Sequence, residues 1–241
     1  MSIYNMNTET RTQIIVFLSE LRRTIKYTGL SLILVTVGLF LYSNSLIPLL
    51  QDHLGEKLYF FSVAGPFLAH VKVSFFGALY ILMPLLTLVL WKSMGKAFGV
   101  EGKSLAGFVA ATCALFYAGT VFCYLVTLPY GVQFLLGFQS EDLKAVISIG
   151  KFVNFVTIFI LAFGLIFELP VFMVFSAKVG LFSRQTFERN RRFAVLGIAI
   201  LAAVLTPTPD VVNMALMGCP LYLLYEVGIF VIRLMGIEKR V

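Results

Sequence analysis

From Leu105 to Leu128 the chain carries no charged side chain, and from Phe152 to Ala177 it carries one, Glu168. Runs of this kind constrain the fold more than any other feature of the sequence. About 20 residues of helix, rising 1.5 Å each, cross the hydrocarbon core of a bilayer, where every backbone N–H and C=O must be satisfied within the spanning segment. Further apolar blocks occupy Thr28–Ser45, Phe67–Leu90, Phe193–Leu205 and Val211–Leu234. Of the 241 residues, 59% are hydrophobic and 13% charged, against roughly 25% charged in a soluble domain. One soluble core of this size could not hide so much apolar surface, so soluble and disordered classes are excluded. The blocks are also too long and continuous for alternating strands. The expectation is an all-α polytopic membrane protein: a single membrane domain over residues 1–241 with six transmembrane helices.

The last two spans are expected to be short. Arg192 closes one end of the fifth and the run Thr206-Pro-Thr-Pro-Asp210 the other, leaving about 20 Å of helix. Pro220 interrupts the sixth. The pair reads as a hairpin turning at Thr206–Asp210, thinning the bilayer or leaning on neighbours. Orientation follows from lysine and arginine. The segment before the first span, the second and fourth connectors and the C-terminus hold 15 of the 19 basic residues; Lys57, Lys72, Lys144 and Lys151 face the other way. That bias puts both termini in the cytoplasm. The net charge of +7 is thus spread over helix ends rather than gathered on one polar surface, which argues against nucleic acid. Arg22-Arg23 ahead of an apolar run resembles an export signal, but no small-x-small cleavage site follows, and the run reads as a retained span.

Cys113, Cys123 and Cys219 lie within apolar segments and read as small apolar side chains rather than disulfide partners. No metal-ligand spacing, Gly-rich phosphate loop, G-x-S-x-G or H-E-x-x-H occurs. The two histidines, His53 and His70, lie on or beside the first outer connector, so no serine has a buried histidine base. The chain is expected to be neither an enzyme nor a cofactor or metal protein.

Residues 1–27 form a cytoplasmic segment in which Ile14, Phe17, Leu18, Leu21 and Ile25 recur at helical spacing, with Glu20, Arg22 and Arg23 on the opposite face. This is an amphipathic helix suited to the interface. Glu20 has a structural reading, an intrahelical pair with Arg23 or Thr24. The acids inside spans are harder to absorb, because a charge near a helix centre costs about 2.5–3.5 kcal/mol on insertion scales. Pro170, two residues after Glu168, should kink the fourth span and expose carbonyls, making a polar notch with the carboxyl as a hydrogen-bond donor. Glu226 is a second such acid. Either can serve a partner or simply pack on a polar group of the same chain. Asp210 reads as a helix cap. Pro48, Pro66 and Pro129 sit near span ends, and Tyr42, Tyr59, Trp91, Tyr124 and Tyr130 near interfaces, as aromatic belts require.

In order, these motifs resemble the TatC family, the multispanning receptor subunit of the twin-arginine protein translocase. The matches are Phe17-Leu-Ser-Glu20-Leu-Arg22, Pro66-Phe67, and Phe116-Tyr-Ala-Gly119-x-x-Phe122-x-Tyr124-x-x-x-x-Pro129. They continue with Phe163-Gly-Leu-Ile-Phe-Glu168-Leu-Pro170-Val, Leu205-Thr-Pro-Thr-Pro-Asp210 and Pro220-Leu-Tyr-Leu-Leu-Tyr-Glu226. The resemblance implies six spans with cytoplasmic termini in a bacterial cytoplasmic (inner) membrane. It implies binding of twin-arginine signal peptides on folded cargo, recruitment of single-span TatB-like and TatA-like partners into an oligomeric complex, and transport on the proton-motive force. It assigns signal binding to Glu20, Arg22 and a loop glutamate, here Glu101. Glu168, Pro170 and Glu226 become the intramembrane polar site, and Pro48, Pro66, Phe67, Tyr124 and Asp210 outer-side positions. One departure stands out: after Trp91 the first cytoplasmic loop has Ser93 and Lys96 where the family has Phe and Pro. A proton- or ion-coupled secondary transporter using Glu168 and Glu226 is the alternative, and it predicts two similar halves that the sequence does not display.

Overall fold

The computed structural model describes residues 2–51, 58–137, 146–205 and 211–236. Helix α1 (Ser2–Leu41) runs 40 residues without a break, about 60 Å, so the amphipathic segment and the first apolar block are one helix. After a turn at Tyr42 comes α2 (Ser43–Gln51), with Pro48 inside it rather than at a span end. A two-residue strand β1 (Leu58–Tyr59) precedes α3 (Gly65–Ile81), α4 (Met83–Phe98) and α5 (Lys103–Phe122). A π-helical turn, Cys123–Thr127, leads into α6 (Leu128–Leu136); strand β2 (Ile147–Ser148) then opens α7 (Ile149–Ile166). The chain continues through α8 (Leu169–Lys178), α9 (Arg184–Arg189), α10 (Arg191–Leu205) and α11 (Val211–Leu234).

Among the described residues, four stretches are long and apolar enough to cross a membrane: Thr24–Leu41, Lys103–Gln133, Ile149–Lys178 and Met217–Leu234. The second apolar block, read from sequence as one run over Phe67–Leu90, is broken. Helices α3 and α4 pass as a span only together, and they bend by 54° at Leu82. Pro84 in the first turn of α4 lacks an N–H and its ring crowds the carbonyl four residues back, which accounts for the bend. The third block ends at Leu128 in the sequence reading, yet the helix continues through Pro129 to Leu136. Here the ladder widens instead of breaking, with Leu128 N–H reaching the Cys123 carbonyl. Helix α10 has 15 residues, fewer than the roughly 20 a crossing takes. Helix α11 is not short: it runs 24 residues with Pro220 inside it, so the interruption expected there does not divide the helix. The hairpin turn at Thr206–Asp210 lies outside the described residues.

The chain divides into two compact units. One combines Met1–Ser43 with Ser74–Ala114. Within it α1 packs along α4, and buried Trp91 stacks on Phe108 with ring centroids 4.8 Å apart. The Trp91 indole N–H also donates to Thr112 Oγ1 at 2.9 Å, which satisfies a buried polar pair between α4 and α5. Gly99, at φ 68°, closes α4 in the left-handed conformation, and Val100 N–H returns to the Gly95 carbonyl. A Cβ at Gly95 would stand 2.4 Å from the Val100 carbonyl oxygen, so this helix end has room only for glycine.

The other unit combines Asn44–Val73 with Leu115–Val241. Half of the α7–α8 stretch is buried, against 6% of the α1 stretch, which makes α7–α8 the centre of its unit and leaves α1 turned mainly outward. Phe152, Val156, Phe159 and Phe163 of α7 face Cys123, Leu128 and Val132 in one apolar cluster. The approach is close because glycines alternate with phenylalanines: a Cβ at Gly119 would stand 2.6 Å from Phe167 Cγ, and one at Gly164 2.6 Å from Phe116 Cε2. Unforeseen from sequence, β1 pairs in parallel with β2, Leu58 opposite Ile147 and Tyr59 opposite Ser148. The cysteines are all free. Cys123 is buried as expected and Cys113 half-buried, but Cys219 is exposed, consistent with a helix face that meets lipid, where an apolar thiol is at no disadvantage.

The glycine contacts make a direct expectation. Gly119→Ala and Gly164→Ala should each destabilise the protein by about 1–3 kcal/mol through overpacking. Gly107→Ala, in the same helix α5 with nothing within 4 Å of the added methyl, should be neutral or stabilising by up to about 1 kcal/mol. Thermal unfolding midpoints in detergent check the order; equal midpoints for all three variants would refute the packing account.

Candidate functional site

Glu20 lies about one helical turn before the membrane-spanning part of α1, which begins at Thr24, on the face that meets α4. Its carboxylate Oε1 stands 2.7 Å from Lys96 Nζ. The side chains are 26% and 45% exposed, so the pair is open to water on one side and is worth about 0–1 kcal/mol. Lys96 occupies the last turn of α4, where the unpaired carbonyls of the helix end favour a cation. Thr24 Oγ1 donates to the Glu20 backbone carbonyl at 3.2 Å, while the carboxylate reaches the neighbouring helix. The side chain of Arg23, the other intrahelical partner expected, lies outside the described residues.

Arg22 is exposed. Glu101 is exposed too, in the turn between α4 and α5, flanked by Gly99 and Gly102, which both have positive φ, 68° and 64°. Two such residues reverse the chain sharply at no steric cost. The contact across from Glu20 is thus Lys96, which the sequence reading had counted as a topological charge and noted in the altered stretch after Trp91 but had not paired with Glu20. Its spacing from Lys92, one helical turn, was the available signal for a cationic face on α4.

The second group of candidates surrounds the junction of α7 and α8. Helix α7 closes at Ile166, and Glu168 precedes α8, its N–H bonded to the Leu165 carbonyl at 3.1 Å and its carbonyl accepting from Phe172 N–H at 3.0 Å. The interruption expected beside Pro170 is present. Pro170 sits in the first turn of α8, where its missing N–H costs nothing. It is also buried, because Gly228 of α11 approaches so closely that a Cβ there would be 3.3 Å from Pro170 Cα and 2.8 Å from Met173 Sδ. Glu168 itself is half-buried.

Glu226 is differently engaged. Arg191 Nη2 donates to its Oε2 at 2.9 Å and the Tyr222 hydroxyl to its Oε1, also at 2.9 Å. Tyr225, the residue before Glu226 on α11, donates its hydroxyl to the Phe187 carbonyl at 2.8 Å and sets its ring edge-on to Phe187. One carboxylate oxygen of Glu226 therefore ties α11 to the start of α10 through Arg191, the other is held by Tyr222 of the same helix, and Tyr225 ties α11 to α9. This is the intrachain packing reading of Glu226, and it removes half of the acid pair that an ion-coupled transporter would use. Arg191 and Tyr222 are partners that the sequence reading missed. Arg191 lies 35 residues away, where no periodicity links the pair, whereas the four-residue spacing of Tyr222 from Glu226 was an available helical signal.

Of the outer-side positions, Pro48 and Phe67 are exposed, while Pro66 and Tyr124 are half-buried, Tyr124 within the π-helical turn. Asp210 lies outside the described residues. Near Pro66 a cavity of about 410 Å³ opens between the starts of α3 and α7, lined by Phe60, Gly65, Lys72, Ser148, Lys151 and Asn154. Lys72 Nζ donates across it to Asn154 Oδ1 at 3.1 Å. Among the described residues, no group of three His, Cys, Asp or Glu side chains is placed to hold a metal ion.

With this geometry in hand, likeness to known proteins can be weighed. The family model described as Sec-independent protein translocase protein (TatC) matches residues 16–220. A protein of that description from Carboxydothermus hydrogenoformans is 31% identical over 218 residues, covering 89% of this chain and 90% of its own length. Another from Helicobacter pylori is 32% identical over 220 residues, covering 91% and 87%. The crystal structure of a twin arginine translocase receptor, TatC, in DDM superposes with a TM-score of 0.77 over 89% of this chain and 98% of that one, at 24% identity. That structure supports the fold.

The tie between α10 and α11 can be tested apart from any likeness. Arg191→Ala and Glu226→Ala should each lower the unfolding midpoint, and the double variant should lose less than their sum, with a coupling of up to about 1 kcal/mol. Strict additivity would mean that the two side chains do not interact.

Proposed function

Because the chain belongs to the TatC family of Sec-independent protein translocase proteins, we propose that it acts as the receptor that binds twin-arginine signal peptides of folded cargo. As a family member it is a multi-pass helical membrane protein and a component of a protein translocase, not an enzyme. Its membrane, in this proposal, is the bacterial inner membrane. It forms a single membrane domain of six spans with both termini in the cytoplasm, α10 being the short one. The 15 basic residues of the cytoplasmic segments would repel a cationic signal unless local acids make an exception.

The observation that carries the reading is the Glu20 carboxylate, held on α1 with an ammonium group 2.7 Å away. A carboxylate so placed is a cation acceptor, and a guanidinium satisfies it with two parallel N–H···O bonds, which an ammonium cannot do. Glu101 supplies the second carboxylate from its exposed turn, with Arg22 beside the site. The half-buried Glu168, at the break before Pro170, contacts the single helix of a TatB-like or TatA-like partner, and Pro48, Pro66, Phe67, Tyr124 and Asp210 serve the outer side. Assembly with those partners into an oligomer lets the proton-motive force drive transport.

Crosslinking of a twin-arginine signal peptide to the chain in membranes tests the receptor site. Glu20→Lys should abolish the crosslink and Glu101→Lys should weaken it, whereas undiminished crosslinking in the double reversal would place recognition elsewhere. The partner contact has its own test. Glu168→Ala should reduce co-purification of the single-span partners while leaving membrane insertion normal, and Glu168→Gln should keep more of it. An interhelical hydrogen bond of this type is worth about 0.6–2 kcal/mol, so transport at the parental rate in Glu168→Ala would reduce the residue to intrachain packing.

A further inference from the structure

We propose that Lys96 is a built-in competitor for the Glu20 carboxylate, so that a signal arginine binds by exchanging one cation for another. The inference rests on the reading of Glu20 as the arginine acceptor and goes beyond it by naming what the arginine must displace. Lys96 Nζ lies 2.7 Å from Glu20 Oε1, the short end of the range for charge-assisted hydrogen bonds. The lysine is held in place from three directions. It stands in the last turn of α4, where the helix dipole favours it. That turn is closed by the Val100 N–H bond to the Gly95 carbonyl. One turn further back, Trp91 is fixed by Thr112 and Phe108.

The same geometry leaves the pair accessible, with the lysine side chain 45% and the glutamate 26% exposed. An incoming side chain can therefore reach the carboxylate while the ammonium swings into water. Exchange keeps the carboxylate compensated throughout, which avoids the cost of a partly buried charge left alone. The ammonium makes a point contact, whereas a guanidinium gains a second parallel bond at the moment of exchange. Simple competition lowers the affinity of arginine and lysine signals by the same factor. The fork of the guanidinium then sets the preference, and Lys96 sets the threshold that a weaker, lysine-bearing signal fails to pass.

The test is binding of a labelled twin-arginine signal peptide, and of its twin-lysine version, to the full chain in detergent. Lys92 is exposed one turn away on α4, so Lys92→Gln controls for the loss of one positive charge. Lys96→Gln should tighten both peptides by about two- to five-fold, the worth of an exposed ion pair, and by more than Lys92→Gln does. Lys96→Arg, a competitor with the fork, should weaken both. In a Glu20→Gln background the Lys96→Gln effect should shrink to that of Lys92→Gln.

Two results overturn the proposal in distinguishable ways. If Glu20→Gln weakens the peptide but Lys96→Gln is no tighter than Lys92→Gln, or binds more weakly while Lys96→Arg behaves like the parent, then Lys96 merely props the helices. The reading of Glu20 survives that outcome. If Glu20→Gln binds like the parent, the acceptor itself is wrong and the competitor falls with it.

Discussion

In a membrane the backbone has no water to bond, and the shape of this chain depends on how it meets that condition where proline removes an N–H. Pro220 sits inside α11, and three other prolines within spans are accommodated in three ways. Pro84 sits in the first turn of α4 and the span bends by 54°. Pro129 follows a π-helical turn in which Leu128 N–H reaches back to Cys123, so the helix widens locally and continues. Pro170 falls in the first turn of α8, where no intrahelical donor is required. One chemical defect thus yields a bend, a bulge and a restart, depending on where the proline falls in its helix.

Between helices the same environment shifts the burden from hydrophobic exclusion to close packing, since lipid tails are as apolar as leucine. The unit around α7 answers with glycine facing phenylalanine in both directions, Gly119 against Phe167 and Gly164 against Phe116. Gly228 lets α11 settle on Pro170 and Met173 in the same way. These contacts pack Phe167 and Pro170, on either side of Glu168, which is itself half-buried.

Charge is used sparingly, and beside the local pair Arg184–Glu188 two ion pairs among the described residues link distant parts of the sequence. Arg191 and Glu226 tie α11 to the start of α10, and Lys96 and Glu20 join α4 to α1. The first serves architecture. The second puts a replaceable cation on the carboxylate that the receptor reading needs, which turns a departure from the family pattern at Lys96 into a feature of the site.

Much of this was legible in the residues. Apolar blocks marked the spans because burying a charge in lipid is costly whatever the tertiary contacts, and Pro170 marked the break beside Glu168 because the missing N–H is a local property. The shortness of α10 followed from Arg192 and Pro207 on the same grounds. The bend at Leu82 was equally local, yet the uninterrupted hydropathy around Pro84 concealed it. What no periodicity could reveal was partnership between distant segments: that the Glu20 carboxylate meets Lys96, that Glu226 is held by Arg191, and that β1 pairs with β2. Helical propensity and hydropathy act within a few residues and are written in the sequence, whereas an ion pair between α1 and α4 exists only once both helices have packed, and that packing is decided by the tertiary structure.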